Sequence, residues 1–339
     1  MGRVDKLIQQ LETGDVRARR QAARELGDYR DPRVVDALIR AMIRDAEPPV
    51  RENAASSLGK IGDPKVVPVF ADVLSNDDDD GVRQTVIFAL EEFADDDGLR
   101  QAVQENALFD VADALVNDTN YMVRVYAAHT LGKIGDPEAV DALHKALDDS
   151  KAEVRYAAVV ALGKIGTEDA IESLMYALEN DEEAEIRFTA AQKLYELDAE
   201  SAWSTFKRIL DVERSPEIQE IAVRALGKWG YGEPDVVDNL IAILQSYLDY
   251  DEDVRAAAAE SLGKLDDPYA LPALFRAGEN DRSDAVRKAA RQAYHALFLR
   301  SVDDFLRLPE EERHELARHL QDALREHFVK TVCEYDEET

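Results

Sequence analysis

The 339-residue chain has one cysteine, Cys333, so no disulfide can form within it. That fits a reducing compartment. Basic residues are scarce: 41 Lys+Arg stand against 71 Asp+Glu, a formal charge of -30. Phosphate backbones and anionic membrane surfaces are gripped by clustered Lys and Arg, so neither nucleic acid nor a membrane is expected as a partner. No run of apolar residues is long enough to span a bilayer, and the start, Met-Gly-Arg-Val-Asp-Lys-Leu, has no apolar signal segment. A cytoplasmic location is expected. Histidines are few, six in all, and none forms an HExxH pair. With a single cysteine no zinc cluster can be built, and no glycine-rich phosphate loop or nucleophile elbow is present. Hydrophobic residues, in contrast, make up 45% of the chain, enough for a core.

What is abundant is self-similarity. Leu58-Gly59-Lys60-Ile61-Gly62-Asp63-Pro64 recurs unchanged as Leu131 to Pro137, with variants from Leu162, Leu226 and Leu262 and a looser copy at Leu26-Gly27. Seven residues before each of these leucines, and before Leu90, Leu194 and Tyr294, stands Arg19, Arg51, Arg83, Arg124, Arg155, Arg187, Arg255 or Arg287. Gln219 takes the place of the missing arginine. The steps are 32, 32, 41, 31, 32, 32, 36 and 32 residues, a fixed period with two insertions.

Each period reads as two helices. Val154, Ala157, Ala158, Ala161 and Leu162 recur at helical spacing. Gly163 and Gly166 are then expected to break the helix, Asp136 to cap the following one, and Pro137 to open it. Val140, Leu143, Ala146 and Leu147 form the second apolar face. The pairs Ala54-Ala55, Ala127-Ala128 and Ala258-Ala259 let helices of adjacent periods approach closely. One such hairpin cannot bury its apolar face alone, so the periods must stack.

The V-R-x-x-A-A-x-x-L-G-K-I-G-D-P pattern resembles the HEAT-like repeats also found in phycobilisome bilin lyases, over roughly residues 15 to 298. The resemblance implies an all-α, right-handed α-solenoid of about nine hairpins, with first helices outside and second helices lining the concave face. Residues 1–300 are assigned to this solenoid. Residues 301–339 are assigned to a C-terminal capping helix, opened by Pro309 and carrying the stripe Leu316, Leu320, Ala323, Leu324 and Phe328, and a short acidic tail. A partner-docking helix is the alternative there.

The repeated arginines follow acidic turns and are read as an Arg–Asp ladder between periods, with anion binding as the alternative. The lysines Lys60, Lys133, Lys164, Lys228 and Lys264 suit helix C-termini. The acids at 76–80 and 95–97 read as solvated loop, the alternative being a cation site without EF-hand spacing. The insertion Gly230 to Pro234 predicts a bend or protruding loop, followed by a long helix reaching Tyr250, and Trp203 is expected in the core.

No catalytic, cofactor or metal residue is assigned. Deoxyhypusine hydroxylase, also HEAT-like, needs several His-Glu pairs, and His314-Glu315 is one. HEAT-like DNA glycosylases use a basic groove. The expected function is a non-catalytic, monomeric protein-binding scaffold or adaptor. Its candidate contact residues on the second helices are His144, Lys145, Met175, Tyr176, Lys207, Arg208, Ile241, Phe275 and Arg276. The acid excess resembles proteins of halophilic archaea, where similar repeat proteins sit between chemotaxis signalling and the motility motor; such an adaptor is one alternative, a bilin-lyase-like enzyme another.

Overall fold

A computed structural model describes residues 2–307 together with 317, 318 and 321. The described residues form helices and turns without a strand. Most of the expected capping helix, with His314, His319, His327 and Cys333, lies outside them.

The chain divides into two units, residues 1–193 and 194–339. The first holds α1 (Arg3–Thr13), α2 (Val16–Leu26), α3 (Pro32–Arg44), α4 (Pro48–Ile61), α5 (Val67–Asn76), α6 (Asp80–Asp95), α7 (Asp97–Asn117), α8 (Tyr121–Ile134), α9 (Val140–Ala146), α10 (Ala152–Ile165), α11 (Glu168–Asn180) and α12 (Ala184–Glu196), within which the boundary falls. The second holds α13 (Trp203–Leu210), α14 (Pro216–Trp229), α15 (Pro234–Gln245), α16 (Glu252–Leu265), α17 (Leu271–Asn280) and α18 (Asp284–Arg307). Even-numbered helices carry the repeated arginine, or Gln219 in α14, and are the first helices of each hairpin; α3 and the later odd-numbered ones are the second. No described helix is long and apolar enough to cross a membrane.

The apolar spacing places the core. Val154, Ala157, Ala158, Ala161 and Leu162 of α10 are buried, as are Val140, Leu143, Ala146 and Leu147 of the neighbouring hairpin. Asp136 accepts the Glu138 N–H at 2.9 Å, and Pro137 opens a 3-10 turn that leads into α9. Trp203 departs from expectation: it opens α13 half-exposed, while its neighbour Ala202 is the buried residue.

The two glycines of each Gly-x-x-Gly do different work. Gly166 ends α10 in the left-handed region, φ +67°, where a side chain is strained. Gly163 does not break the helix; it lies inside α10. Its equivalent Gly132 explains why the position is small. A Cβ there would stand 2.8 Å from both Cα and Cβ of Ala161 on the next first helix. Gly132→Ala is therefore expected to destabilise the first unit. Overpacking costs about 1–3 kcal/mol, against a helix-propensity gain of about 1 kcal/mol. Urea unfolding followed by helicity checks it, and an unchanged or raised midpoint would count against so close an approach.

Close approach of this kind recurs along the row of first helices. A Cβ on Gly59 would stand 3.0 Å from that of Ala89, and in the second unit one on Gly263 would stand 2.9 Å from that of Ala293. Within each unit the first helices pack on one another more extensively than most of the second helices do. Small residues thus bring the first helices together; they form the more closely spaced row, termed the inner row, and the second helices form the outer one.

The insertions are also clarified. The 41-residue step is taken up by helix, not loop: α6 has 16 residues and α7 has 21, joined by Asp96 alone. Two of the acids there are caps, and others form ion pairs. Asp79 accepts the N–H groups of Gly81 and Val82, and Asp96 those of Gly98 and Leu99. In the second unit Tyr231 stands exposed on the inserted loop. The helix expected to reach Tyr250 ends at Gln245, and a turn follows in which Tyr250 donates its N–H to the Ser246 carbonyl at 3.2 Å.

Candidate functional site

The repeated arginines are consumed by the joints between hairpins. Arg155 Nε donates to Asp181 Oδ2 at 2.8 Å and Nη2 to Oδ1 at 3.1 Å, while Nη1 reaches the Asp149 carbonyl at 3.1 Å. The same two-pronged grip joins Arg19 to Asp45, Arg51 to Asp77, Arg83 to Asp118 and Arg124 to Asp149 in the first unit, and Arg255 to Asp281 in the second. Each aspartate also accepts the backbone N–H two residues on, Lys151 in the case of Asp149. Each guanidinium therefore ties the turn entering its own helix to the turn entering the next one.

The charge states follow from these contacts. Burial opposes ionisation of Asp149, but the Arg124 guanidinium and the Lys151 N–H outweigh it and hold the carboxyl below its usual range. The hydrogen bond to Asp181 holds Arg155 above its usual value. Gln219, the one exception in the series, keeps half of the arrangement: its Nε2 donates to the Glu213 carbonyl at 2.9 Å. Guanidiniums so fully engaged are joints, and the ladder reading accounts for them without an anion.

Several lysines at helix ends extend the pattern. Lys60 pairs with Asp28, Lys133 with Glu91 and Asp95, and Lys228 with Asp198, each on the preceding hairpin.

The residues singled out on the second helices divide between the units. His144 and Lys145 on α9 and Met175 and Tyr176 on α11 belong to the first. Lys207 and Arg208 on α13, Ile241 on α15, and Phe275 and Arg276 on α17 belong to the second. They lie on the outer, more widely spaced row, and several are engaged locally. The His144 and Tyr176 rings are 5.3 Å apart, His144 Nδ1 lies 3.1 Å from Ser173 Oγ, and the Tyr176 hydroxyl donates to Asp148 at 2.9 Å. That last bond raises the Tyr176 hydroxyl above its ordinary value. Lys207 pairs with Asp235, Arg208 donates to Thr205 Oγ1, and the Phe275 ring lies 5.6 Å from that of Tyr294. Lys145 and Arg276 are exposed, and Met175 and Ile241 are half-buried.

The inner row of the first unit carries something the sequence reading missed. Position one after the ladder arginine runs Arg20, Glu52, Gln84, Val125, Tyr156; position five runs Arg24, Ser56, Phe88, His129, Val160. Both point away from the buried stripe, on nearly the same helix face. Polar side chains on α2 and α4 thus give way to a mixed set on α6 and α8, where Phe88 and Val125 stand beside Gln84 and His129, and to Tyr156 and Val160 on α10. Phe88 is 45% exposed and Tyr156 41%. Phe88 meets Tyr126 edge-on, with centroids 5.7 Å apart and planes at 79°. Between α4, α6 and α8 this surface sinks into a groove of about 500 Å³. Aligning the first helices on their arginines would have exposed the pattern.

A family model for HEAT repeats matches residues 4–91, 110–195 and 204–295. The chain belongs to the HEAT-repeat family. Its hairpins are HEAT units, and the matched stretches cover most of the chain. Among solved structures it is similar to an engineered protein, with 21% identity, a TM-score of 0.54, and coverage of 96% of this chain and 98% of that one. It also matches a structure of the Escherichia coli protein YibA at 20% identity and a TM-score of 0.48, covering 81% of this chain and 96% of that one. No curated protein matches it. At such identities the likeness concerns the α-solenoid fold. The positions that recur from one HEAT unit to the next, namely the ladder, caps and close-approach glycines, are framework, which leaves the faces that vary between units as the place for a specific contact.

Proposed function

We propose that this HEAT-repeat chain is a non-catalytic scaffold or adaptor, acting as a monomer in the cytoplasm, that holds a protein partner on the inner helix row of its first unit. The observation that carries the reading is the aromatic and aliphatic face formed by the exposed Phe88 and Tyr156 with the half-buried Val125, Tyr126 and Val160 on a chain of charge -30. Exposed aromatics beside a groove are what a partner covers, and such anchors carry most of an interface's affinity. The excess of acid elsewhere suits a solvent of high salt, such as the cytoplasm of a halophile. A bilin-lyase activity or a link from chemotaxis to the motor draws on no residue described above.

The outer-row set of His144, Lys145, Met175, Tyr176, Lys207, Arg208, Ile241, Phe275 and Arg276 is the rival surface, and one experiment separates the two. Affinity capture from a lysate at high salt is compared for wild type, Phe88→Asp with Tyr156→Asp, and Tyr176→Asp with Phe275→Asp, each checked for unchanged helicity. The first pair is expected to lower partner recovery at least about tenfold, the loss of one interface hot spot. The second pair is expected to leave it intact. The opposite outcome would move the surface to the outer row.

A further inference from the structure

We propose that the groove between α4, α6 and α8 receives an arginine or lysine side chain of the protein partner, with a neighbouring apolar residue of the same segment lying on the Phe88–Tyr126 wall. This rests on the inner row being the docking surface and adds the chemistry of what docks.

Glu52 is the one charged residue lining the groove; its other walls include Ser56, Gly81, Gln84, Phe88 and Tyr126. Its carboxylate lies against the first turn of α6, with Oε1 3.1 Å from where a Cβ on Gly81 would stand. The absent side chain at Gly81 therefore leaves room for it, and the helix N-terminus favours its charge. Among the described residues no hydrogen bond or ion pair with the Glu52 carboxylate is formed. Of the charges that act on it, Arg51 is taken by Asp77 and Asp78, Asp79 repels it, and Arg20 acts from the preceding hairpin without forming an ion pair.

Burial, and then Asp79, push the Glu52 carboxyl above its ordinary value. The sign matters. A carboxyl whose value is raised by folding favours the folded state while protonated, and that contribution is lost as pH rises through the raised value. Ionising Glu52 in the folded chain thus costs stability. An acid held in a groove without a counterion is a site awaiting a cation.

The walls agree with this. A guanidinium stacks on aromatic faces, an ammonium is drawn to them, and the methylenes of either lie along apolar surface. Phe88 and Tyr126 offer faces and an edge, Glu52 the counter-charge, and the polar groups of Ser56 and Gln84 remaining contacts. An acidic partner segment would meet Glu52, Asp79 and the field of a strongly acidic chain.

The test uses the full chain, at a salt concentration where its helicity is complete. A peptide-display library is panned on wild type, and the enriched peptides are synthesised and titrated by fluorescence anisotropy. Enriched peptides are expected to place Arg or Lys beside an apolar residue, and replacing that basic residue by Glu should abolish binding. Glu52→Gln, which keeps the shape, should weaken binding about tenfold, the scale of one charge-assisted hydrogen bond. Gln84→Arg, which gives Glu52 an internal partner, should do the same. Peptides without a basic preference, or Glu52→Gln binding like wild type, would overturn the inference. In that event a loss on Phe88→Asp would still uphold the docking face. Binding unaffected by Phe88→Asp would remove both. A wild-type dimer in sedimentation that Phe88→Asp dissociates would assign the groove to a second copy and also overturn the inference.

Discussion

Arg155→Ala is expected to cost the first unit about 3–5 kcal/mol, the loss seen when one partner of a buried ion pair is removed. The arginine and aspartate side chains are only 8% and 2% exposed. Without the guanidinium, the Asp181 carboxylate loses both of its charge-assisted bonds and the Asp149 carbonyl loses its donor. Repacking cannot mend this, because the aspartate remains tied to the Glu183 N–H at 2.9 Å. Arg155→Gln should cost less, since glutamine at 219 still reaches the turn carbonyl; combining it with Asp181→Asn should recover part of the remainder by removing the orphaned charge. Arg40, in an open pair with Glu12, is the control, and its alanine variant should stay within about 0.5 kcal/mol of wild type. Urea or thermal unfolding followed by helicity decides the matter. Equal midpoints for Arg155→Ala and Arg40→Ala would mean that the ladder does not hold the hairpins together.

The second large effect concerns salt. The ladder neutralises buried carboxylates pair by pair, and among the described residues many other acids are highly exposed, such as Asp78, Asp97, Glu182 and Asp284. Screening reaches about 8 Å at physiological ionic strength and about 3 Å at 1 M. Turn acids of neighbouring HEAT units repel one another in dilute buffer and are screened apart in molar KCl. Far-UV circular dichroism is expected to show reduced helicity and a lowered thermal midpoint at low salt, both recovering with KCl. The ladder pairs, being buried, should respond little, so Arg155→Ala should remain destabilised at every salt concentration. Helicity and midpoint unchanged between low salt and molar KCl would contradict this view of the acids.

Much of the fold was legible because it repeats. A period near 32 with Arg, Ala-Ala and Leu-Gly at fixed offsets yields hairpins, caps and the ladder, since each depends on residues close in sequence or one period apart. Which row packs more closely is not legible from periodicity. Both helices of a hairpin carry an apolar stripe, so hydrophobic periodicity does not distinguish them. The distinguishing signal was present in Ala127-Ala128 and Gly132: small residues mark the row with the shortest spacing. The site was harder still. Phe88, Tyr126 and Tyr156 stand five, two and one residues after their arginines, and only stacking brings them onto one face. Glu52 looked like one acid among 71 until its lack of a partner was seen in three dimensions.

The most direct test of the docking surface is site-specific photo-crosslinking. A photoreactive residue is placed at Tyr156 on the inner row or at Lys145 on the outer row of the full chain, and irradiation is performed in intact cells. The inner-row position is expected to yield one discrete crosslinked partner that Phe88→Asp removes, with no such product from position 145. A product from position 145 alone, insensitive to Phe88→Asp, would contradict the account.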